Sequence, residues 1–197
     1  MKLTTTTKKP FIKIYDDLIP KYLQDYVEQV TLGRCETGGE DDLIFPTVEF
    51  TCKYESTAKT IDNSTPMSFV HMLKSSCRLS PHLENFGLIP QAICAHNDLL
   101  LKDILVGRIY ITVPHNTDQK NYEPHTDLPF DHMVVLYYVN DADGETVFFD
   151  DNNNIIQSVE PKKGRAVLFD GKILHGGGIP TKGPRCIVNY DIQVIKG

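Results

Sequence analysis

Apolar and polar positions change period near the middle of the chain. After Pro20, the residues Leu23, Tyr26, Val27 and Val30 recur at i, i+3, i+4 and i+7 until Gly33 stops the pattern. That spacing predicts a helix over 19–31. Residues 34–66 carry a Gly-Gly pair, clustered acids and little periodicity, which reads as loop with one strand or hairpin at the alternating stretch 47–52. Thr65-Pro66 and Ser80-Pro81 each resemble an N-cap followed by proline at the first helical position, and Phe69, Met72 and Leu73 begin an apolar face. Two or three short helices are therefore expected between 66 and 99.

Beyond residue 103 the apolar residues are β-branched or aromatic and come in short runs. Ile104 to Val113, Met133 to Val139, Thr146 to Phe149, Ile155 to Val159, Arg165 to Phe169 and Arg185 to Val194 are separated by Asp, Asn, Gly and Pro clusters. With segments flanking Tyr122 and His175, this makes about eight strands. The expected class is α+β, mainly β: a double-stranded β-helix, or jelly roll, with N-terminal supporting helices on one outer face. We read 1–197 as a single domain, with helical support and loops over 1–103 and the jelly-roll core over 104–197.

Composition narrows the role of this domain. A chain of 197 residues buries enough surface to fold without a structural metal or disulfide, so a bound metal would serve chemistry. Its net charge of −6 disfavours general binding to nucleic acid or anionic membranes. The five scattered cysteines form no Cys-x-x-Cys pair, pointing to a reducing compartment, and no apolar run reaches the ~20 residues that span a bilayer. A cytoplasmic protein is expected.

The residues that suggest chemistry are His125, Asp127 and His175. In an extended segment, His125-Thr126-Asp127 puts two ligand side chains on one face, and His175 from a later strand would complete two imidazoles and one carboxylate. A metal held on one face keeps open positions, as non-haem iron(II) oxygenases require, although zinc hydrolysis uses similar ligands. By itself His-x-Asp is a weak signal. His125 could equally be a loop histidine and Asp127 a turn residue, while His132 is a rival third ligand.

The surrounding blocks decide more. Tyr122 to Asp127, Val134 to Asp141, Gly144 to Phe149, Pro161 to Phe169, and His175 followed ten residues later by Arg185 occur in one order. That combination resembles the prolyl 4-hydroxylase-like branch of the Fe(II)/2-oxoglutarate-dependent dioxygenases, over about 104–195, and the short chain is similar to bacterial or phage-encoded members. The resemblance implies Fe(II) held by His125, Asp127 and His175, and 2-oxoglutarate chelating the metal, with its far carboxylate on Arg185. It also implies a phenol contact from Tyr138, co-substrate contacts from Tyr110 and Thr146, dioxygen as the second co-substrate, and ascorbate as an accessory reductant. The implied reaction is hydroxylation of an unactivated C–H, on a prolyl residue of a peptide or protein or on a related small substrate, with release of succinate and carbon dioxide.

Two departures bear on the substrate. Collagen-type and plant-type relatives carry Lys then Trp where this chain has Arg185-Cys186, whereas hypoxia-sensing relatives carry Arg. Alkylation-repair relatives place a second arginine six residues after the first, and here that position is Asp191. Repair of nucleic acid is therefore not expected. The alternative class is a cupin-like metal-binding barrel without oxygenase activity, in which Arg185 would have no purpose. The loops over 34–66 and 114–121 are expected to shape the substrate entrance.

Overall fold

A computed structural model of the chain describes residues 10–33, 47–53, 67–115 and 117–196. The expected loop over 34–66 lies outside these residues, apart from 47–53.

Two sheets face one another. The larger has the order β1 (Ile12–Tyr15), β9 (Ala166–Asp170), β6 (Met133–Tyr138), β11 (Arg185–Lys196), β5 (Leu99–Thr112), β3 (Ser68–Ser75) and β2 (Thr51–Lys53), with β4 (Arg78–Leu79) also paired to β3. The smaller has the order β10 (Leu174–Gly177), β7 (Thr146–Phe149) and β8 (Ile155–Val159). Bridges Asn121↔Gly178 and His125↔His175 add the segment around Tyr122 beside β10 as a fourth member. The alternation of strands between two sheets is the double-stranded β-helix that the strand pattern predicted.

The outer face of the large sheet carries the helices. Helix α1 (Lys21–Leu32) begins where the Pro20 carbonyl accepts from the Leu23 and Gln24 N–H groups, and ends at Gly33, whose φ of 67° lets its N–H reach the Gln29 carbonyl. It buries Leu23, Val27 and Val30 against Val135, Tyr137, Leu168 and their neighbours, together with Phe86 of α2 (Leu83–Phe86) and Ile89 and Ile93 of α3 (Leu88–His96). A fully buried side chain of this kind contributes about 1.5–3 kcal/mol of hydrophobic transfer energy. A smaller apolar cluster, including Leu136, Tyr138, Phe148, Val167 and Phe169, joins the two sheets from within. No helix among the described residues is long and apolar enough to cross a membrane.

One expected helix is a strand. Residues Ser68–Ser75 form β3, paired with β5 from Ser68↔Thr112 to Lys74↔Gly107 with a bulge between Met72 and Lys74. The Phe69, Met72 and Leu73 spacing that suggested a helical face is divided between the two faces of the sheet. Phe69 pairs with Ile111 on the helix-covered side and Met72 with Arg108 on the other, while the bulge turns Leu73 into the outer core. Tertiary pairing with the long β5 overrides the local spacing. Ser80 does mark a helical start: its hydroxyl accepts from the His82 N–H at 3.2 Å, just ahead of α2.

Candidate metal centre

Antiparallel pairing places the two histidines together. The N–H of each donates to the carbonyl of the other, His125 to His175 and His175 to His125, both at 3.0 Å. Directly opposed residues share a face, and the two imidazole centroids lie 4.9 Å apart. Asp127 follows on the same segment. One ligand atom from each of His125, Asp127 and His175 falls within 4.8 Å of the other two, a grouping able to hold a metal ion. Nδ1 of His125 meets the Glu123 carbonyl at 3.0 Å and Nδ1 of His175 meets the Ile173 carbonyl at 3.1 Å. A carbonyl can only accept, so both protons sit on Nδ1 and both Nε2 lone pairs face inward.

The pairs Asn121↔Gly178 and His125↔His175 differ in register by one residue. This irregularity lets Tyr122 and His125, three apart in sequence, line the same cavity. Gly178 is required where β10 passes the turn after β6, since a Cβ there would lie 2.4 Å from the Gly144 carbonyl carbon.

Asp127 is surrounded by polar side chains. The amide of Asn189 donates to it at 3.1 Å, Nε2 of His175 lies 3.4 Å away and Nη1 of Arg108 3.6 Å away. Burial alone would raise its carboxyl, but the His175 contact and the Asn189 hydrogen bond outweigh burial and hold it well below the usual carboxylate range. Conversely, burial opposes the charge on His175, and Asp127 more than compensates and raises it. This donor set suits a borderline divalent metal such as Fe(II): two neutral nitrogens and one ionised carboxylate, with the cavity on the open side.

The cavity has a volume of about 460 Å³, inside the usual range for small-ligand sites. At one end stands Arg185, 3% exposed. Its Nη2 donates to the Thr146 hydroxyl at 2.7 Å, and its guanidinium lies 5.6 Å from the Tyr138 ring centroid. Its Nε has no hydrogen-bond partner. The Tyr138 hydroxyl also donates to Thr146, at 2.6 Å. Both lone pairs of the threonine hydroxyl are thus used, so its own proton is left to donate. Tyr138 is fully buried beneath the lining, against Thr146 and Arg185, whereas Tyr110, Thr146 and Arg185 line the cavity directly.

Several polar residues at the cavity escaped the sequence reading. Tyr122 lines it close to Arg185, with its phenol pushed up to about 12 by burial and therefore a neutral donor at physiological pH. Arg108 spans Asp127 and, at 3.7 Å from Nη2, Asp191. Asp191 is fully buried, and burial followed by repulsion from Asp127 pushes its carboxyl up to about 7. His132 faces Asp191 at 3.7 Å and lies outside the His125, Asp127 and His175 grouping. The available signal was a polar residue at every second place on β5, Arg108, Tyr110 and Thr112, and a broken form of it on β11, where Ile187 stands between Arg185 and the pair Asn189 and Asp191.

Residues 111–192 match the family profile of the 2OG-Fe(II) oxygenase superfamily. Its members use Fe(II) and 2-oxoglutarate, and the protein is a 2-oxoglutarate-dependent dioxygenase. No curated protein sequence matches it significantly. Among solved structures, a prolyl hydroxylase from Trichoplax adhaerens, in complex with a peptide fragment of the hypoxia-inducible factor oxygen degradation domain, superposes with a TM-score of 0.62 at 12% identity, covering 93% of this chain and 84% of that one. A prolyl-4-hydroxylase from Pseudomonas putida gives 0.59 at 14% identity, with 94% of both chains covered. SnoN, a non-haem α-ketoglutarate-dependent epimerase of nogalamycin biosynthesis, gives 0.57 at 12% identity, covering 93% and 78%. At these identities the likeness is one of fold, and that fold serves more than one reaction.

Proposed function

We propose that this dioxygenase is a hydroxylase acting on an unactivated C–H of a prolyl residue in a peptide or protein, or of a related substrate, with release of succinate and carbon dioxide. His125, Asp127 and His175 hold the iron. Arg185 takes the far carboxylate of 2-oxoglutarate through its unpartnered Nε and its guanidinium edge, and Thr146 donates its hydroxyl proton beside it. The bound metal and co-substrate supply the oxidising power for C–H hydroxylation.

The remaining side chains position and enclose. Tyr138 locks the Thr146 rotor and stacks against Arg185. Tyr122, and Tyr110 whose phenol burial likewise raises, remain protonated and can donate to a bound carboxylate. Asn189 and Arg108 orient Asp127, leaving its other lone pairs for the metal.

The observation that carries this reading is the buried, incompletely satisfied Arg185 at one end of a cavity that also holds the His125, Asp127 and His175 grouping. An isolated buried cation is costly, and a dicarboxylate chelated to the metal would relieve it. A cupin-like barrel without oxygenase activity gives Arg185 nothing to do. Mass spectrometry on prolyl peptides and free amino acids tests the substrate assignment. The expected product gains one oxygen atom and requires both Fe(II) and 2-oxoglutarate, whereas oxidation confined to non-prolyl members rejects the prolyl assignment.

A further inference from the structure

The cavity extends past the jelly roll itself. Because β3 and β2 continue the large sheet beyond β5, its lining includes Ser68 and Lys53. The register sets these in one row with the co-substrate cation: Lys53 opposes Ser68, Ser68 opposes Thr112, and Thr112 opposes Arg185. Opposed residues share a face, so Lys53 stands on the same side of the sheet as Arg185. Three strand spacings of about 4.8 Å separate their backbones by roughly 14 Å, and Arg185 is held by its hydrogen bond to Thr146 on the small sheet.

The charges in and around this cavity do not balance. Its lining holds three permanent cations, Lys53, Arg108 and Arg185, against the single carboxylate of Asp127. In the loaded enzyme proposed above, the far carboxylate of 2-oxoglutarate offsets Arg185. Arg108 stands between Asp127 and Asp191, at 3.6 and 3.7 Å, and Asp127 with the near carboxylate offsets the two charges of Fe(II). Lys53 is left over. It is half-buried and has no ion-pair partner among the described residues. In a chain whose net charge is −6, a cavity that stays positive when loaded selects for an anion.

We propose that the primary substrate carries a carboxylate and that Lys53 receives it, with the Ser68 and Thr112 hydroxyls alongside as further donors. This inference rests on the hydroxylase reading and narrows its substrate class. The carboxylate has two sources, the α-carboxylate of a free amino acid or an acidic side chain on a peptide.

The test uses protein loaded with 2-oxoglutarate and Mn(II) as an unreactive stand-in, titrated calorimetrically. One arm contains free amino acids, L-proline among them, each beside its amide. The other contains prolyl peptides with Glu near the proline, each beside its Gln counterpart. Turnover with Fe(II) is measured on the same panel. The carboxylate form in one arm is expected to bind about 10-fold tighter than its neutral partner, the scale of one charged hydrogen bond. Lys53→Met should erase that preference by weakening the carboxylate form alone, and Lys53→Arg should keep it. The responding arm names the source. Equal binding of carboxylate and neutral forms, no binding by either arm, or a preference that survives Lys53→Met overturns the proposal. Failure of the hydroxylase reading is seen separately, as wild-type protein that releases no succinate from 2-oxoglutarate even without a primary substrate.

Discussion

Strand β11 has two faces, and they bury different things. Towards the helices it presents Cys186, Val188, Tyr190 and Ile192, all packed in the larger apolar core, and the one polar atom of Tyr190 donates to the Phe86 carbonyl at 2.7 Å. Towards the small sheet it presents Arg185, Asn189 and Asp191, where the Nε of the arginine and both oxygens of Asp191 lack hydrogen bonds. Neighbouring residues of one strand thus live in an apolar core, where among the described residues the Tyr137 hydroxyl alone lacks a hydrogen-bond partner, and in a polar, incompletely satisfied cavity. Unsatisfied buried groups oppose stability, so the outer face must hold the fold while the inner face waits for ligands. Separating these two duties on opposite sides of the same strands is what lets a domain of this size keep a pre-formed charged site.

Substitutions on the two faces should therefore fail differently. The largest effect is expected for Arg185→Met. Losing one partner of a buried, hydrogen-bonded charge pair costs about 2–5 kcal/mol, so KM for 2-oxoglutarate should rise roughly 100-fold or more. The metal-free variant should melt at the same temperature or higher, because the unmatched cation is gone. A large fall in its melting temperature would erase the contrast between the faces.

Ile192→Ala should do the reverse. Truncation of this fully buried side chain removes roughly 2–5 kcal/mol of stability. KM for 2-oxoglutarate, measured well below the new melting temperature, should not move. Parallel loss of both would mean that the faces are mechanically coupled.

Thr146→Val sharpens the inner-face half. It leaves the Tyr138 hydroxyl and Arg185 Nη2 without their shared acceptor and removes one donor to the co-substrate. The expected rise in KM for 2-oxoglutarate is about 10-fold, from ~1–1.5 kcal/mol per hydrogen bond. An unchanged KM would put the co-substrate elsewhere in the cavity.

The smallest effect belongs to the sheet edge, remote from either buried face. Asp16 accepts from Arg165 at 2.7 and 2.9 Å beside the β1 and β9 pair. The hydrogen bond from Arg165 is the main cause of its depressed carboxyl pKa. A depressed pKa in the folded state gives stability that is present above the ordinary value near 3.9 and fades as pH falls through the folded value. Asp16→Asn should lower stability at neutral pH by no more than about 1 kcal/mol, as exposed pairs do. Melting curves of variant and wild type should converge in strong acid, and a difference that grew on acidification would assign the effect to another group.

The same contrast explains which parts of this architecture could be read from sequence. Strands with turn clusters between them were visible, as were the His125 and Asp127 pair and Arg185, because their blocks keep an order. Strand β11 hid its division of labour: Ile187 interrupts the polar series on the inner face, so buried residues on both sides merge into one mixed run. The helix expected at Phe69, Met72 and Leu73 was lost to a bulge that imitates helical spacing. Lys53 and Arg108 carried no motif, and Tyr122 opened the block that runs to Asp127 without a role of its own. Lys53 and Arg108 join the site through cross-strand pairing and Tyr122 through a one-residue register shift, none of which is local in sequence.

The central claim is that the inner face binds Fe(II) and 2-oxoglutarate together, through His125, Asp127, His175 and Arg185. Anaerobic titration of the metal-free protein with Fe(II) and then 2-oxoglutarate, followed by visible absorption, tests it most directly. A weak charge-transfer band should appear only when both are present, and should be absent from Asp127→Ala. Wild-type protein that binds Fe(II) but shows no change in absorption or melting temperature on adding 2-oxoglutarate would contradict the account.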